Sequence, residues 1–433
     1  MFKWVQGKCR SRLEGRNTDL KTEVIAGFTT FLTMAYIIFV NPAILAEAGM
    51  DKSALIVVTC LVTAVATIAV GLLVNVPIAM APGMGLNAFF AYTLVITKKI
   101  SWETALGVVF LSGLFFLVLT LLGLRRKIVE AIPKSLVAAI SVGIGLFITF
   151  IGLQNIGIIV DHPATLVTSA HMTPTIMIGL SGLAVMIVLE MKRVPGALLI
   201  GIAFATVLAM IFGEVEMPKK IMQFDVSISP TLFRLDILGA LKWGMFSSVF
   251  TLMFIDMFDS VGTLLAVSPM AEMVDEKGKI EKLDRMLVVD AGATMLGAVC
   301  GTSTTTSYIE SAAGIEQGGR TGLTSVVTGA LFLLAVLFVP LVSIVPGYAT
   351  AGALVMVGLF MMKQIRQIDF SDMEHGLPAF FIMVMIALSY SISTGLAFGF
   401  IAYTLIQVLS GKMLKIKPAM WVITILSVLY FCI

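Results

Sequence analysis

The stretch 302-TSTTTSYIESAAG-314 sets four threonines, three serines, a tyrosine and one glutamate, Glu310, between two long apolar runs. A carboxylate in that position needs a cavity, a partner or a ligand, because an unpaired charge at membrane depth is costly. The hydroxyl-rich run reads as an extended start, and ESAAG as a short helix with Glu310 in its first turn, where the helix dipole favours a negative charge. Plain N-terminal capping is the competing explanation.

The surroundings make this a membrane problem. The chain of 433 residues is 58% hydrophobic and 13% charged, with a mean hydropathy of +1.02. Apolar runs long enough to cross about 30 Å of hydrocarbon recur throughout, which predicts an all-α polytopic membrane protein. The basic N-terminal stretch precedes a run too long for a cleaved leader, so the first run is expected to be a true span. Cys9, Cys60, Cys300 and Cys432 are scattered without a C-x-x-C pair, implying no disulfide framework and no metal site. No cofactor is expected, and the net charge of +3 reads as topology rather than nucleic-acid binding.

Fourteen spans are predicted: 22–46, 53–75, 78–96, 103–124, 133–153, 172–190, 194–212, 239–268, 285–301, 304–316, 321–341, 346–362, 375–393 and 395–411. The final run, 418–433, is short for a crossing and reads as a half-helix or an interfacial segment. With the N-terminus inside, Arg125, Arg126, Lys127, Lys192, Arg193, Lys277, Lys279, Lys282, Arg285, Lys363, Arg366, Lys412, Lys415 and Lys417 fall on cytoplasmic loops or span ends. Lys98, Lys99, Lys219, Lys220 and Arg234 are exceptions placed outside, whereas the outer loops 154–171 and 340–348 contain no Lys or Arg.

Two pairs of segments align at constant offsets. IPKSLVAAISVGIGLFITFIGLQ from Ile132 matches VPGYATAGALVMVGLFMMKQIRQ from Val345 at Pro133/Pro346, Ala138/Ala351, Val142/Val355, Gly145-Leu146-Phe147/Gly358-Leu359-Phe360 and Gln154/Gln367. Further on, Leu189/Leu388, Gly196/Gly395, Ile202/Ile401 and Ala203/Ala402 align. Span 5 then corresponds to span 12, and an offset of seven inverts the second copy in the membrane. Seven plus seven inverted spans place a site at the repeat interface, near the midplane.

Broken segments are the sequence pointer to such a site, since irregular backbone at depth must line a cavity or be buried in protein. Span 3, 81-APGMGLNAFFAYT-93, carries Pro82, Gly83 and Gly85 ahead of Asn87, so its front should unwind and leave a helix beginning near Asn87. A proline kink is the plainer alternative. The opening stretch lies in span 10, the repeat mate of span 3. Span 8 adds FIDMFDSVGT, whose Asp256 and Asp259 are three apart on neighbouring parts of one helical face with no Lys or Arg in the surrounding run. Two such carboxylates cannot both ionise cheaply in low dielectric, which suits proton coupling. Asp290, near the cytoplasmic start of span 9, is divided between a helix-start contact and function.

Together, FTTFLTMAYIIFVNP, APGMGLNAFFAYT, FIDMFDSVGT and GTSTTTSYIESAAGIEQGGRTGLTSVVTG resemble the azaguanine-type adenine/guanine/hypoxanthine permeases of the nucleobase–ascorbate transporter superfamily. The resemblance implies a uracil-permease-like fold with short paired strands in spans 3 and 10. It implies a cytoplasmic tail 1–21, a core domain in two halves (22–124 and 239–341), a gate domain in two halves (133–212 and 346–411) and a C-terminal apolar segment 412–433. It further implies a plasma or inner membrane protein, homodimeric through the gate domain, importing guanine/hypoxanthine or adenine with protons. Carried onto matching positions, it makes Glu310 and Asp259 the carboxylates at the nucleobase, Asn87 the polar residue of span 3 and Asp290 an acid needed for transport.

The chemistry agrees. Purine ring N–H groups suit carboxylates, ring carbonyls suit free helix-start N–H groups, and flat faces suit aromatics. Phe89, Phe90 and Phe258 are the candidate stacking rings, with core packing the alternative for each, and Thr306 and Ser307 are the candidate hydroxyls. Asp256, Asp259 and Asp290 are the candidate proton carriers. An acidic pocket disfavours anions. Uracil or xanthine transport, an ion channel and a membrane enzyme are the rival readings. The chain has no H-E-x-x-H or G-x-S-x-G motif, and His162, His171 and His375 fall in loops or at span ends.

Overall fold

The computed structural model describes residues 18–123, 132–217, 220–223, 227–275 and 280–432. Cys9, Arg125, Arg126, Lys127, Lys219, Lys277, Lys279 and residues 1–17 of the expected tail lie outside the described residues.

Fourteen membrane segments follow one another in the described chain. Span 1 is Leu20–Met34 continued by Ile37–Ala46, and span 2 is Lys52–Leu73. Span 3 opens with strand β1 (Met80–Pro82), passes into Met84–Ala88 and ends in a π-helical stretch, Phe89–Thr97. Spans 4 and 5 are Trp102–Leu121 and Lys134–Ile156. A hairpin of β2 (Ile159–His162) and β3 (Leu166–Ser169) leads to span 6, Pro174–Met191, and span 7, Ala197–Ile211. Spans 8 and 9 are Phe246–Val267 and Leu283–Cys300. Span 10 is strand β4 (Thr305–Ser307) with the half-helix Ser311–Glu316. Span 11 is Gly322–Ala335, prolonged through Val339–Ser343, and spans 12 to 14 are Gly347–Met362, Met373–Ser389 and Ile392–Leu409. The terminal helix, Pro418–Cys432, has fifteen residues. At 1.5 Å per residue it is about 22 Å long, short of the hydrocarbon core.

Local chemistry sets many of these limits. Asp51 accepts from the Ala54 N–H at 2.7 Å to start span 2, Ser101 caps span 4, and Thr173 with Pro174 starts span 6. Gly157, at φ 92°, ends span 5 in the left-handed conformation that glycine adopts without strain.

Three expectations are revised. The helix of span 3 starts at Met84, not near Asn87, because Pro82 lies in a strand and the chain turns helical directly after Gly83. Span 1 is interrupted at Ala35–Tyr36. The run 239–268 divides into a short turn of helix, Ile237–Ala240, and span 8 proper.

The seven-plus-seven inverted repeat is visible in packing. Spans 1–4 and 8–11 pack chiefly on one another, and spans 5–7 and 12–14 likewise. The aligned glycines of spans 5 and 12 meet directly: a Cβ on Gly145 would lie 2.8 Å from the Gly358 carbonyl oxygen, and one on Gly358 would lie 2.5 Å from that of Gly145. Both positions need glycine because two helix backbones touch there. Strands β1 and β4 pair antiparallel, Met80 with Ser307, Ala81 with Thr306 and Pro82 with Thr305.

That strand pair lies in protein rather than lipid, and its backbone edges are satisfied by hydroxyls from repeat-related spans. Thr67 of span 2 donates to the Met80 carbonyl at 2.9 Å and accepts from its N–H at 3.0 Å. Thr294 of span 9 donates to the Thr305 carbonyl at 3.0 Å and accepts from its N–H at 3.2 Å. Irregular backbone at this depth is stable only with such partners. A further buried acid, Glu23, accepts from the N–H groups of Arg320 (2.9 Å), Thr321 (3.0 Å) and Thr324 (3.0 Å), capping span 11 from span 1.

Candidate functional site

Each strand of the central pair runs into a half-helix, and the two breaks border one cavity of about 90 Å³. From the first helix set come Tyr36, Gly83 to Leu86, Ile255, Asp259, Thr263 and Ser307 to Glu310. The second set contributes only Ile144, Val357 and Met361. Every polar side chain of the cavity therefore sits on one body, facing an apolar wall on the other.

Glu310 and Asp259 are both half-buried and both line the cavity. Glu310 occupies the N-cap position of its half-helix, but its carboxylate makes no capping hydrogen bond. It accepts instead from the Tyr36 hydroxyl at 2.5 Å. Tyr36 lies at the interruption of span 1, so that break aims a phenol at the carboxylate. Opposite, the first helical turn of span 3 lines the cavity, and N–H groups in a first turn have no intrahelical acceptor. The site thus offers carboxylate acceptors on one side and backbone donors on the other.

The remaining candidates divide. Ser307 borders the cavity and also lies 3.4 Å from Asp290 Oδ1, to which its hydroxyl donates. Asp290, fully buried behind β4, accepts from Ser260 Oγ at 2.7 Å, and Ser260 lies 2.6 Å from Thr306 Oγ1. Asp256 is also fully buried there; its Oδ2 accepts from Thr294 at 3.2 Å, while its Oδ1 has no hydrogen-bond partner among the described residues. Asp256 and Asp259, adjacent on the helical face, thus point to different places. Asn87 is buried, its Oδ1 accepting from the Ser303 hydroxyl. The phenylalanines do not line the cavity: Phe89 and Phe90 are fully buried in the core, and Phe258 packs on Phe254 with ring centroids 4.7 Å apart. Tyr36, Thr67, Thr294 and Glu23 were not singled out from sequence. Only Glu23, an acid in the first turn of an apolar run, carried a readable signal.

A second contact joins the two helix sets away from this cavity. Tyr390, left-handed at φ 55° after span 13, packs edge-on against Tyr92 of span 3 (6.3 Å) and against Phe147 (5.2 Å) and Phe150 (5.6 Å) of span 5. The Thr93 hydroxyl donates to the Tyr390 carbonyl at 3.2 Å.

Two broken helices meeting inside an inverted repeat, with polar groups on one body and an apolar wall on the other, define a multi-pass membrane transport protein. The chain matches the Xan_ur_permease model, described as "Permease family", over residues 21–398, and it belongs to that family. The adenine permease AdeP of Escherichia coli K12 is 41% identical over 419 residues, covering 96% of this chain and 94% of its own. The guanine/hypoxanthine permease PbuG of Bacillus subtilis 168 is 42% identical over 427 residues, covering 96% and 97%. The transmembrane domain of the cyanobacterial bicarbonate transporter BicA shares the fold, with a TM-score of 0.67 at 15% identity over 87% of this chain and 97% of that one.

Proposed function

We propose that this chain imports purine nucleobases by proton symport, with spans 1–4 and 8–11 as a substrate-carrying core and spans 5–7 and 12–14 as a gate. The observation that carries this reading is the pairing of Glu310 and Asp259 in one cavity, faced by the apolar wall of Ile144, Val357 and Met361. A flat neutral heterocycle with N–H donors and ring acceptors matches those carboxylates and the helix-start donors of span 3. The names of the relatives, an adenine permease and a guanine/hypoxanthine permease, support a purine.

In this reading Glu310 accepts hydrogen bonds from the ring N–H groups and Asp259 carries or senses the proton. Asp290 and Asp256 hold the back of β4 through Ser260, Thr306 and Thr294, so a change of protonation there would be felt by the strand that leads to Glu310. An apolar gate surface lets the core slide without breaking hydrogen bonds. The Tyr92–Phe147–Tyr390 cluster bridges the two bodies and closes one side of the path. The distribution of Lys and Arg supports an outward position for that side and a cytoplasmic N-terminus. The test is uptake of labelled adenine, guanine and hypoxanthine by cells expressing the chain, with unlabelled purines, xanthine and uracil as competitors. Competition by purines alone is expected, and uptake blocked equally by uracil overturns the purine assignment.

A further inference from the structure

A second cavity, larger than the one beside the carboxylates, lies elsewhere in the described residues. A chamber of about 590 Å³ lies between the first half of span 8, the end of span 3, span 14 and the terminal helix Pro418–Cys432. Its walls carry Phe246, Phe250 and Phe254, one stripe of span 8 at helical spacing, facing Phe400 of span 14 and Leu426 and Leu429 of the terminal helix. Lys98 is the one basic side chain on this lining, and no Asp or Glu shares it. Its Nζ donates to Ser248 Oγ at 2.9 Å and lies 5.5 Å from the Tyr430 ring centroid, and neither of these neutral groups cancels the charge. Ser393, also on the lining, is buried, and its hydroxyl has no hydrogen-bond partner among the described residues.

We propose that this chamber binds one anionic phospholipid, its acyl chain along the aromatic stripe of span 8 and its phosphate at Lys98. The chamber is built from membrane segments, so the abundant amphiphile around it is lipid. Its apolar trough suits a hydrocarbon chain, an uncancelled cation suits a phosphate, and the orphaned Ser393 hydroxyl gains a partner from an ester or phosphate oxygen. The terminal helix, too short to span, then forms the outer wall of a lipid site. Spans 3 and 8 belong to one helix set and span 14 to the other, so a lipid held here touches both bodies. The proposal depends on membrane embedding and not on the identity of the transported solute.

The full chain, reconstituted with equal amounts of phosphatidylglycerol and phosphatidylcholine and then released into mild detergent, is read by native mass spectrometry. One retained phosphatidylglycerol per chain is expected, enriched about fivefold over phosphatidylcholine, the scale of one lysine near a lipid phosphate. Lys98→Ala should abolish that enrichment, Lys98→Arg should keep it, and Lys99→Ala, on the exposed neighbour, should leave it unchanged. Filling the chamber with Ala397→Trp, or with Leu429→Trp on its partly exposed wall, should remove the retained lipid altogether. Enrichment that survives Lys98→Ala, or retention that survives a well-folded chamber-filling variant, overturns the proposal in favour of lipid held elsewhere on the surface.

Discussion

The Tyr36 hydroxyl donates a 2.5 Å hydrogen bond to Oε1 of Glu310, tying the interruption of span 1 to the start of the half-helix in span 10. The bond occupies Oε1 of a carboxylate that borders the cavity, and in the proposed site Oε2 meets the ligand. Removing it with Tyr36→Phe should raise the KM for purine about tenfold at little cost to maximal uptake, the lower end of what a hydrogen bond to a charged group contributes. Glu310→Gln, which removes the acceptor itself, should keep the protein in the membrane and nearly eliminate uptake. Unchanged kinetics in both variants would remove Glu310 from the binding site.

The proposed coupling rests on Asp259, which shares the cavity with Glu310 and has no cation beside it on the lining. A protonophore should abolish accumulation in the wild type. Asp259→Asn should lose concentrative uptake while keeping exchange of labelled for unlabelled purine. Accumulation that follows sodium and ignores the protonophore would place a metal cation, not a proton, at these carboxylates.

The proposed motion of one body against the other should be trapped by a cross-link between Gly85 and Ile144. A Cβ on Gly85 would lie 3.9 Å from Ile144 Cβ, inside the range that a disulfide spans. The double variant Gly85→Cys, Ile144→Cys, in a background free of other cysteines, should lose transport on oxidation and regain it on reduction. Full activity in a demonstrably cross-linked protein would exclude sliding at this surface.

The hydroxyls that close the strand edges should matter in equal measure, because they occupy equivalent places in the two repeats. Thr67→Val leaves the Met80 N–H and carbonyl without that partner, and Thr294→Val does the same at Thr305. Each should lower the thermal unfolding midpoint in detergent, at a cost of about 1–3 kcal/mol for the orphaned backbone groups. Serine in either place should restore most of the loss. A valine variant as stable as the wild type would show that water replaces the hydroxyl.

What the sequence determined by itself was periodic or compositional: the apolar runs, the two aligned segments that revealed the inverted repeat, and the Pro, Gly and hydroxyl clusters that broke spans 3 and 10. Glu310 and Asp259 were legible because a carboxylate in an apolar run is conspicuous whatever surrounds it. Tertiary structure alone decided where these groups point. Asp256 and Asp259 are neighbours on a helix, yet one turns behind β4 and the other into the cavity, because strand packing rather than helical spacing determines which face is buried. Phe89 and Phe90 sit beside the break in span 3 but are consumed by the core. Tyr36, Thr67 and Thr294 were invisible in sequence, since a tyrosine or threonine in an apolar run acquires its role only from a partner far along the chain. That partner is supplied by folding: the two repeats bring spans 1 and 10, 2 and 3, and 9 and 10 together, and the cost of leaving a backbone or carboxylate group unpaired at membrane depth dictates which hydroxyl meets it.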